Sequence, residues 1–231
     1  MTADDIAQLL VSLQLADSAF PSGLYTLSHG LEGFLQAGIV GAGDVGGLLD
    51  DLLVASVGPG DATALAIAHR AASDGDWDAM AGVDRLLFAS KLNAEMRAGS
   101  TRSGRALLGL AEELFGEGAL AEYRALVRAR EAPGCQPVVS GACYAVGGVS
   151  CQRAVASDLF AFTNSFCGAA LRLRLLDHRQ TQALLRRAAP VIEAVTADAL
   201  QRSIDDLGGF APMADVCSAR HERADARLFA S

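Results

Sequence analysis

The chain has 231 residues, of which 51% are apolar and 20% are charged, and its formal net charge at pH 7 is −8. This composition is typical of a globular protein with a sizeable core and argues against a disordered chain. The acidic balance excludes a nucleic-acid binder that would neutralise phosphates with a clustered basic face. Lys91 is the single lysine, and its context, FASKLNAEM, is typical of a helical surface rather than of a phosphate-binding loop.

The cysteines and the apolar runs favour a protein of the reducing cytoplasm. Five cysteines occur without a CxxC pair, which argues against both a zinc knuckle and a disulfide framework. The opening residues, MTADDIAQLL, are acidic where a signal peptide would need a basic region. The most apolar window, residues 138–149, is shorter than the roughly 20 residues that cross a bilayer. We therefore expect a cytoplasmic protein.

Apolar stretches of helical spacing, each opened by aspartate, predict helices in the first third of the chain. The first is IAQLLVSLQLA, whose apolar side chains recur on one face. Aspartate is a usual helix-start residue because its carboxylate accepts bonds from the free backbone N–H groups there. The aspartates that open these stretches are Asp4, Asp5, Asp44, Asp61, Asp76 and Asp78.

Helical patterns also dominate the rest of the chain. A long arginine-rich helix is predicted from about residue 93 to residue 115. In a last long helix, over residues 181–207, Pro190 should kink or divide the helix because it removes a backbone donor. The small residues around Gly141 predict a helix packed closely against a neighbour. We predict an all-α fold: one domain over residues 1–231, a bundle of about 8–11 helices with no significant sheet.

The stretch AFPSGLYTLSHGLEGFL, residues 19–35, carries several side chains that are common in active sites. Ser22 lacks the GxSxG elbow of a nucleophilic serine, and no histidine–aspartate arrangement can be placed beside it. His29 and Glu32 are three residues apart, so on a helix they would share a face and could reach one ion. The sequence therefore predicts no catalytic residue and leaves a metal site open.

The metal alternative remains weak because the four histidines are scattered and form no HExxH pair. The candidate ligands are His29, Glu32, Cys135 and His221, for a transient site that two chains would share. The competing interpretation of His29 is a helix-start residue bonded to backbone or to a partner, and we favour it. No tightly bound cofactor is predicted.

The C-terminal run ARHERADARLFAS combines arginines with the large apolar residues Leu228 and Phe229. Little chain follows these residues to bury them, and arginine and aromatic side chains provide much of the binding energy at protein interfaces. We therefore predict that residues 209–231 form a tail that docks onto a partner. The arginines around Arg102 and Arg105 follow one side of a predicted helix, and a solvated face is their usual interpretation.

Four stretches resemble, in the right order, the urease accessory protein UreF family. LQLADSAFPSGLYTLSHGLEGFL at residues 13–35 resembles the N-terminal motif of the family, and RHERADARLFAS at residues 220–231 resembles its C-terminal ending. STRSGRALLGLAEEL at residues 100–114 and PVVSGACYAVGG at residues 137–148 are similar to two internal helices, less specifically. The four stretches span nearly the whole chain.

The resemblance implies a non-enzymatic, homodimeric chaperone of nickel insertion into urease. Such proteins bridge a scaffold of the UreD or UreH type and a GTPase of the UreG type, and the assembly acts on apo-urease. They regulate GTP-dependent nickel delivery and pass nickel in transit without holding it tightly. The rival classes are a helical metal-dependent enzyme and a ligand-binding regulator; the latter would need a DNA-reading helix, which the acidic first 50 residues do not offer.

The residues that match the family motifs are the predicted partner contacts. Pro21 and Gly23 also match the N-terminal motif, whereas Cys135 stands where the family often has histidine. The predicted contacts are Tyr25, Ser28, His29, Glu32, Arg102, Arg105, Arg220, His221, Glu222, Arg227, Leu228 and Phe229.

Overall fold

A computed structural model describes residues 3–20 and 24–229, and the described residues form helices and no strand. The predicted all-α fold is confirmed. The helices are α1 Ala3–Ala16, α2 Leu31–Gln36, α3 Val45–Leu52, α4 Thr63–Asp74, α5 Trp77–Ser90, α6 Ala94–Phe115, α7 Ala121–Arg128, α8 Gln136–Val146, α9 Cys151–Arg172, α10 His178–Gln201 and α11 Pro212–His221, with 3₁₀ turns at Leu24–Thr26 and Ile204–Asp206 and a π-helix at Leu53–Ala62.

Side-chain caps explain where several helices begin. Asn93 accepts a bond from the Met96 N–H at 2.8 Å and starts α6 where the pattern predicted it. Asp76 caps α5 in the same way, through the Ala79 N–H. Asp61 opens no helix, contrary to expectation, because α3, the π-helix and α4 run on without a break and its carboxylate pairs with Lys91.

Pro190 does not divide α10, which is continuous from His178 to Gln201. Of the predicted kink or division, the division is therefore wrong, and the kink stays a prediction. Pro190 lies on the exposed side of the helix, where water can satisfy the carbonyl that its missing N–H leaves free.

The core has two parts that meet at α4. One contains buried side chains of α2, α3, the π-helix, α9 and α10, and the other those of α4, α5, α6, α7 and α8. The segments Val45–Asp74 and Cys151–Arg172 are long and apolar enough to cross a membrane by length and composition alone. Since 67% of the apolar window in the first is buried inside the fold, core packing accounts for its apolar character.

Two glycines allow helices to lie against backbone, as predicted for the small residues around Gly141. A Cβ added at Gly141 of α8 would lie 2.5 Å from the Leu65 carbonyl oxygen of α4. A Cβ at Gly104 of α6 would overlap the Gly134 carbonyl oxygen, in the loop before α8. Both approaches are too close for any side chain, so glycine is required at each crossing.

We expect Gly104→Ala to destabilise the protein by about 1–3 kcal/mol, because the loop before α8 must move away from α6. The measurement is the free energy of unfolding in urea. Gly109→Ala, on the same helix, is the matched control: its added Cβ would meet nothing within 4 Å, so a gain of up to about 1 kcal/mol is expected from helix propensity. Equal effects of the two substitutions would contradict the close crossing.

Candidate functional site

The N-terminal motif and the C-terminal segment meet at a buried carboxylate. Helix α11 packs against α2, and Glu32 lies in the first turn of α2. Glu32 Oε2 accepts bonds from His221 Nε2 at 2.9 Å and from the Phe229 N–H at 3.0 Å, and Oε1 accepts from the Leu228 N–H at 2.8 Å. One side chain thus holds the C-terminal segment at three points.

A second carboxylate, Glu95 in the first turn of α6, completes this group. Glu95 Oε2 lies 3.1 Å from His221 Nδ1, and Oε1 accepts a bond from Arg227 Nη1 at 2.9 Å. Buried carboxylates are costly unless charged or polar donors compensate for lost water. Each of these two has such donors, and we call Glu32, Glu95, His221 and Arg227 the carboxylate cluster.

Both ring nitrogens of His221 face carboxylate oxygens, and the side chain is 1% exposed. Through these two contacts the side chain joins α11 to α2 and to α6. His221 and Glu32 therefore fasten the chain to itself here, and their role as metal ligands stays a prediction.

Arg172, at the end of α9, joins the two family motifs a second time. Its guanidinium lies 3.9 Å from the ring centroid of Tyr25 and 4.3 Å from that of Phe229. Its Nη1 also donates to the Tyr25 carbonyl oxygen at 2.6 Å. A guanidinium between two rings gains cation–π attraction on both faces. Arg172 therefore sets the position of Tyr25 relative to the tail.

His29 lies outside the cluster. It precedes α2 in the left-handed region, with φ 54°, so the shared helical face that we expected for His29 and Glu32 does not exist. Its Nε2 is 2.9 Å from Ser165 Oγ, and its ring centroid lies 4.5 Å from that of Phe162 in an edge-to-face arrangement. Burial, with smaller contributions from Arg172 and Lys91, lowers the pKa of His29 to about 4, so the ring is neutral at pH 7.

Cys135 is fully buried before α8, and its N–H donates to Asp84 at 2.9 Å. Burial, and then the Asp84 carboxylate, raises the pKa of its thiol. The thiol is therefore held in its protonated form in this structure, and its role as a metal ligand stays a prediction. No group of three histidine, cysteine, aspartate or glutamate side chains within residues 3–20 and 24–229 is arranged to hold a metal ion.

Burial divides the predicted partner contacts into two sets. Ser28, Glu32, His221 and Phe229 are buried in the chain, so their side chains do not lie on its surface. Of the others, His29 is partly buried and the rest are exposed: Tyr25, Arg102, Arg105, Arg220, Glu222, Arg227 and Leu228. Partner contact stays a prediction for both sets. Pro21, Ser22 and Gly23 of the motif lie outside the described residues.

Two residues of this site had no signal in the sequence. Glu95 precedes the family-like stretch of α6, and an acidic residue in the first turn of a helix is common without any further role. Arg172 belongs to LRLRLL, a run with no motif spacing. Both contact residues that are more than 100 positions away in the chain, so local sequence patterns do not indicate these contacts.

A cavity of about 130 Å³ lies beside His29. Its walls include the Asp61–Lys91 ion pair, with 2.6 Å between Nζ and Oδ1, and Asp158. Burial, and to a lesser degree the neighbouring Asp61, raises the pKa of Asp158 to about 7, although Gln136 donates to it. This carboxyl group therefore takes up and releases a proton near neutral pH.

The structure defines an all-helical protein whose N-terminal and C-terminal motifs are joined, and comparison with known proteins specifies the family. The UreF family model matches residues 39–189. The chain is 33% identical to the urease accessory protein UreF of Trichodesmium erythraeum over all of both chains. It is 32% identical to UreF 2 of Brucella canis, over 96% of this chain and 91% of that protein, and 33% identical to UreF of Arthrobacter sp., over 94% and 95%.

The chain therefore belongs to the UreF family of urease accessory proteins. The resemblance to this family, noted in four stretches of the sequence, is confirmed by the family model over residues 39–189 and by the relative that aligns over the full length.

We expect Glu32→Ala to release the C-terminal segment, because His221 and two backbone N–H groups lose their acceptor. The predicted loss in the free energy of unfolding is about 3 kcal/mol, typical of a broken buried pair. Hydrogen exchange at the Leu228 and Phe229 amides measures the release directly.

Glu222→Ala is the matched control, since this exposed carboxylate lies next to His221 without a bond to the segment. Its effect should stay within about 0.5 kcal/mol. Continued protection of the two amides in Glu32→Ala would contradict the assigned role of Glu32.

Proposed function

We propose that this chain is a nickel-insertion chaperone that bridges a scaffold protein of the UreD or UreH type and a GTPase of the UreG type. The observation that carries this proposal is the joining of the family's two terminal motifs through Glu32 and Arg172. Beside this junction Tyr25 and Leu228 are 60% and 63% exposed. Large exposed side chains on a fixed backbone favour recognition by another protein.

In this proposal the chain has no catalytic residues and modulates GTP hydrolysis by its partner, and the complex acts on apo-urease. Nickel passes through the assembly as cargo. The cavity beside His29 supports this passage, because the His29 ring and the carboxyl groups of Asp61, Asp158 and Asp215 line it and imidazole is a ligand that nickel accepts. The five cysteines are free, as suits the cytoplasmic location that we also propose.

Co-purification with the scaffold and GTPase proteins tests the bridging role. We expect the wild-type chain to be recovered with both, and the double variant Tyr25→Ala and Leu228→Ala to bind about tenfold more weakly or worse. Both side chains are exposed, so the melting temperature should change little.

Leu86→Ala and Val146→Ala provide the control, because both side chains are exposed but lie on α5 and α8. Recovery of the Tyr25/Leu228 variant at the wild-type level would refute contact at this surface. Failure of the wild-type chain to bind either protein would refute the bridging function.

We also propose that the chain forms a homodimer through α1. Leu9, Leu10 and Leu13 expose an apolar face on this helix, and Phe160 of α9 is exposed in the same groove as Leu9 and Leu13. A run of exposed leucines on one helix is typical of a surface that another protein covers. A second copy can bury these side chains with the same face of its own α1.

Leu13→Arg should convert the dimer to a monomer, because the symmetric contact would bury two unpaired charges. Size-exclusion chromatography with light scattering measures the mass. Leu86→Arg, also at an exposed leucine, should leave the dimer intact. A wild-type protein that runs as a monomer would overturn the proposed dimer, and a Leu13→Arg protein that stays dimeric would overturn the α1 interface.

A further inference from the structure

The turn that leads into α11 holds an aromatic side chain in solvent. Phe210 is 82% exposed, yet its N–H donates to the Ala55 carbonyl oxygen at 2.8 Å, and the Gly208 N–H donates to that of Pro59 at 3.0 Å. These two backbone bonds anchor the turn to the π-helix Leu53–Ala62.

An exposed phenylalanine on an anchored backbone is favourable for binding. Ordering a loop on association costs free energy, and a turn that is already held avoids most of that cost. Apolar residues continue the surface on both sides of Phe210: Leu92, Pro212, Met213 and Val216 are exposed as well. We call these five residues the Phe210 ridge.

Two grooves flank the ridge. One lies between the ridge and the start of α3, with Ile39, Leu48 and Met213 in its walls. The other lies between the ridge and the end of α5, with Leu92 and Val216 in its walls. Pro212 borders both grooves, so an occupant could straddle the ridge and fill the two together.

The charged side chains of the two grooves are mostly acidic. Asp44 and Asp51 line the first, and Asp61 and Asp215 line the second. Lys91 is the cation among the described lining residues, and its Nζ is 2.6 Å from the Asp61 carboxylate. Asp44, Asp51 and Asp215 form no ion pair within the described chain. The grooves therefore present an apolar floor with an acidic border.

The segment that follows α11 is held elsewhere. From His221 to Phe229 it is bonded to the buried carboxylates of Glu32 and Glu95, not to residues of the ridge. The C-terminal region thus has two parts: a distal part fastened to its own chain, and a proximal part, at the ridge, open to solvent.

We infer that the Phe210 ridge is a docking surface for a second protein whose contacting face is apolar at its centre and basic at its edge. The apolar centre takes up Phe210 and fills the two grooves, and arginine or lysine side chains of the partner pair with Asp51 and Asp215. This inference rests on the proposed function, because it takes the occupant to be one of the partner proteins of urease maturation.

The test measures the dissociation constant of the full chain for the purified scaffold and GTPase proteins in turn. Phe210→Ser should weaken binding to one of them by about tenfold or more, as expected for a central aromatic contact. Leu86→Ser is the control, since Leu86 is an exposed apolar residue of α5 outside both grooves. Circular dichroism and melting temperature establish that both variants fold.

A second variant tests the charge of the partner. Asp51→Lys should weaken the same complex by about threefold to tenfold at low salt, and by less at high salt, because border charges act through screened attraction. Glu113→Lys, at an exposed acid of α6, should leave the affinity unchanged. Tighter binding by Asp51→Lys would overturn the basic border of the partner.

The outcomes separate the two proposals. If the wild-type chain binds a partner and Phe210→Ser binds it equally well, the ridge is not the docking surface and the bridging function stands. If the wild-type chain binds neither protein, both proposals fail. If Phe210→Ser changes the mass of the free protein from dimer to monomer, the occupant is a second copy of the chain, and the inference is overturned.

Discussion

The carboxylate of Glu32 lies inside the protein, and its burial is favourable only because His221 and the backbone N–H groups of Leu228 and Phe229 replace the water it loses. This requirement ties three parts of the chain together. Packing of α11 holds α2 in place, and the Glu32 carboxylate of α2 in turn holds the C-terminal segment. Glu95 extends the dependence to α6 by sharing His221 and binding Arg227. The family's N-terminal and C-terminal motifs are therefore halves of one structural unit.

Arg172 connects this buried unit to an exposed aromatic side chain. Its guanidinium separates the rings of Tyr25 and Phe229, so one ring stays exposed while the other is buried. The side chains that make the junction face inward, and the neighbours they position face solvent. A similar arrangement occurs at the π-helix, where the carbonyl oxygens of Ala55 and Pro59 accept bonds from the turn that exposes Phe210. In both places a polar contact to backbone fixes the position of an exposed aromatic side chain.

Local features of the sequence were reliable guides. The apolar spacing after Asn93 correctly predicted where α6 begins and ends, because helix periodicity and side-chain caps involve residues three or four positions apart. The small residues around Gly141 correctly indicated a close crossing of α8 and α4. Local reasoning failed where the backbone left the helix: His29 adopts φ 54° before α2, so its spacing from Glu32 had no helical meaning. The prediction that Asp61 starts a helix was also wrong, because α3, the π-helix and α4 follow one another without a break.

The sequence by itself determined the all-α class, most helix starts and membership of the UreF family, since these depend on local spacing and on short motifs. Only the tertiary structure decided which motif residues are buried and which face outward. Glu32 and His221 are 189 positions apart, and Tyr25 and Arg172 are 147 apart. Contacts across such distances in the chain depend on how α2, α9 and α11 pack, and no local pattern specifies that packing. For this reason polar motif residues that resembled surface contacts form a buried junction, whereas Phe210, which no motif marked, is exposed on the surface.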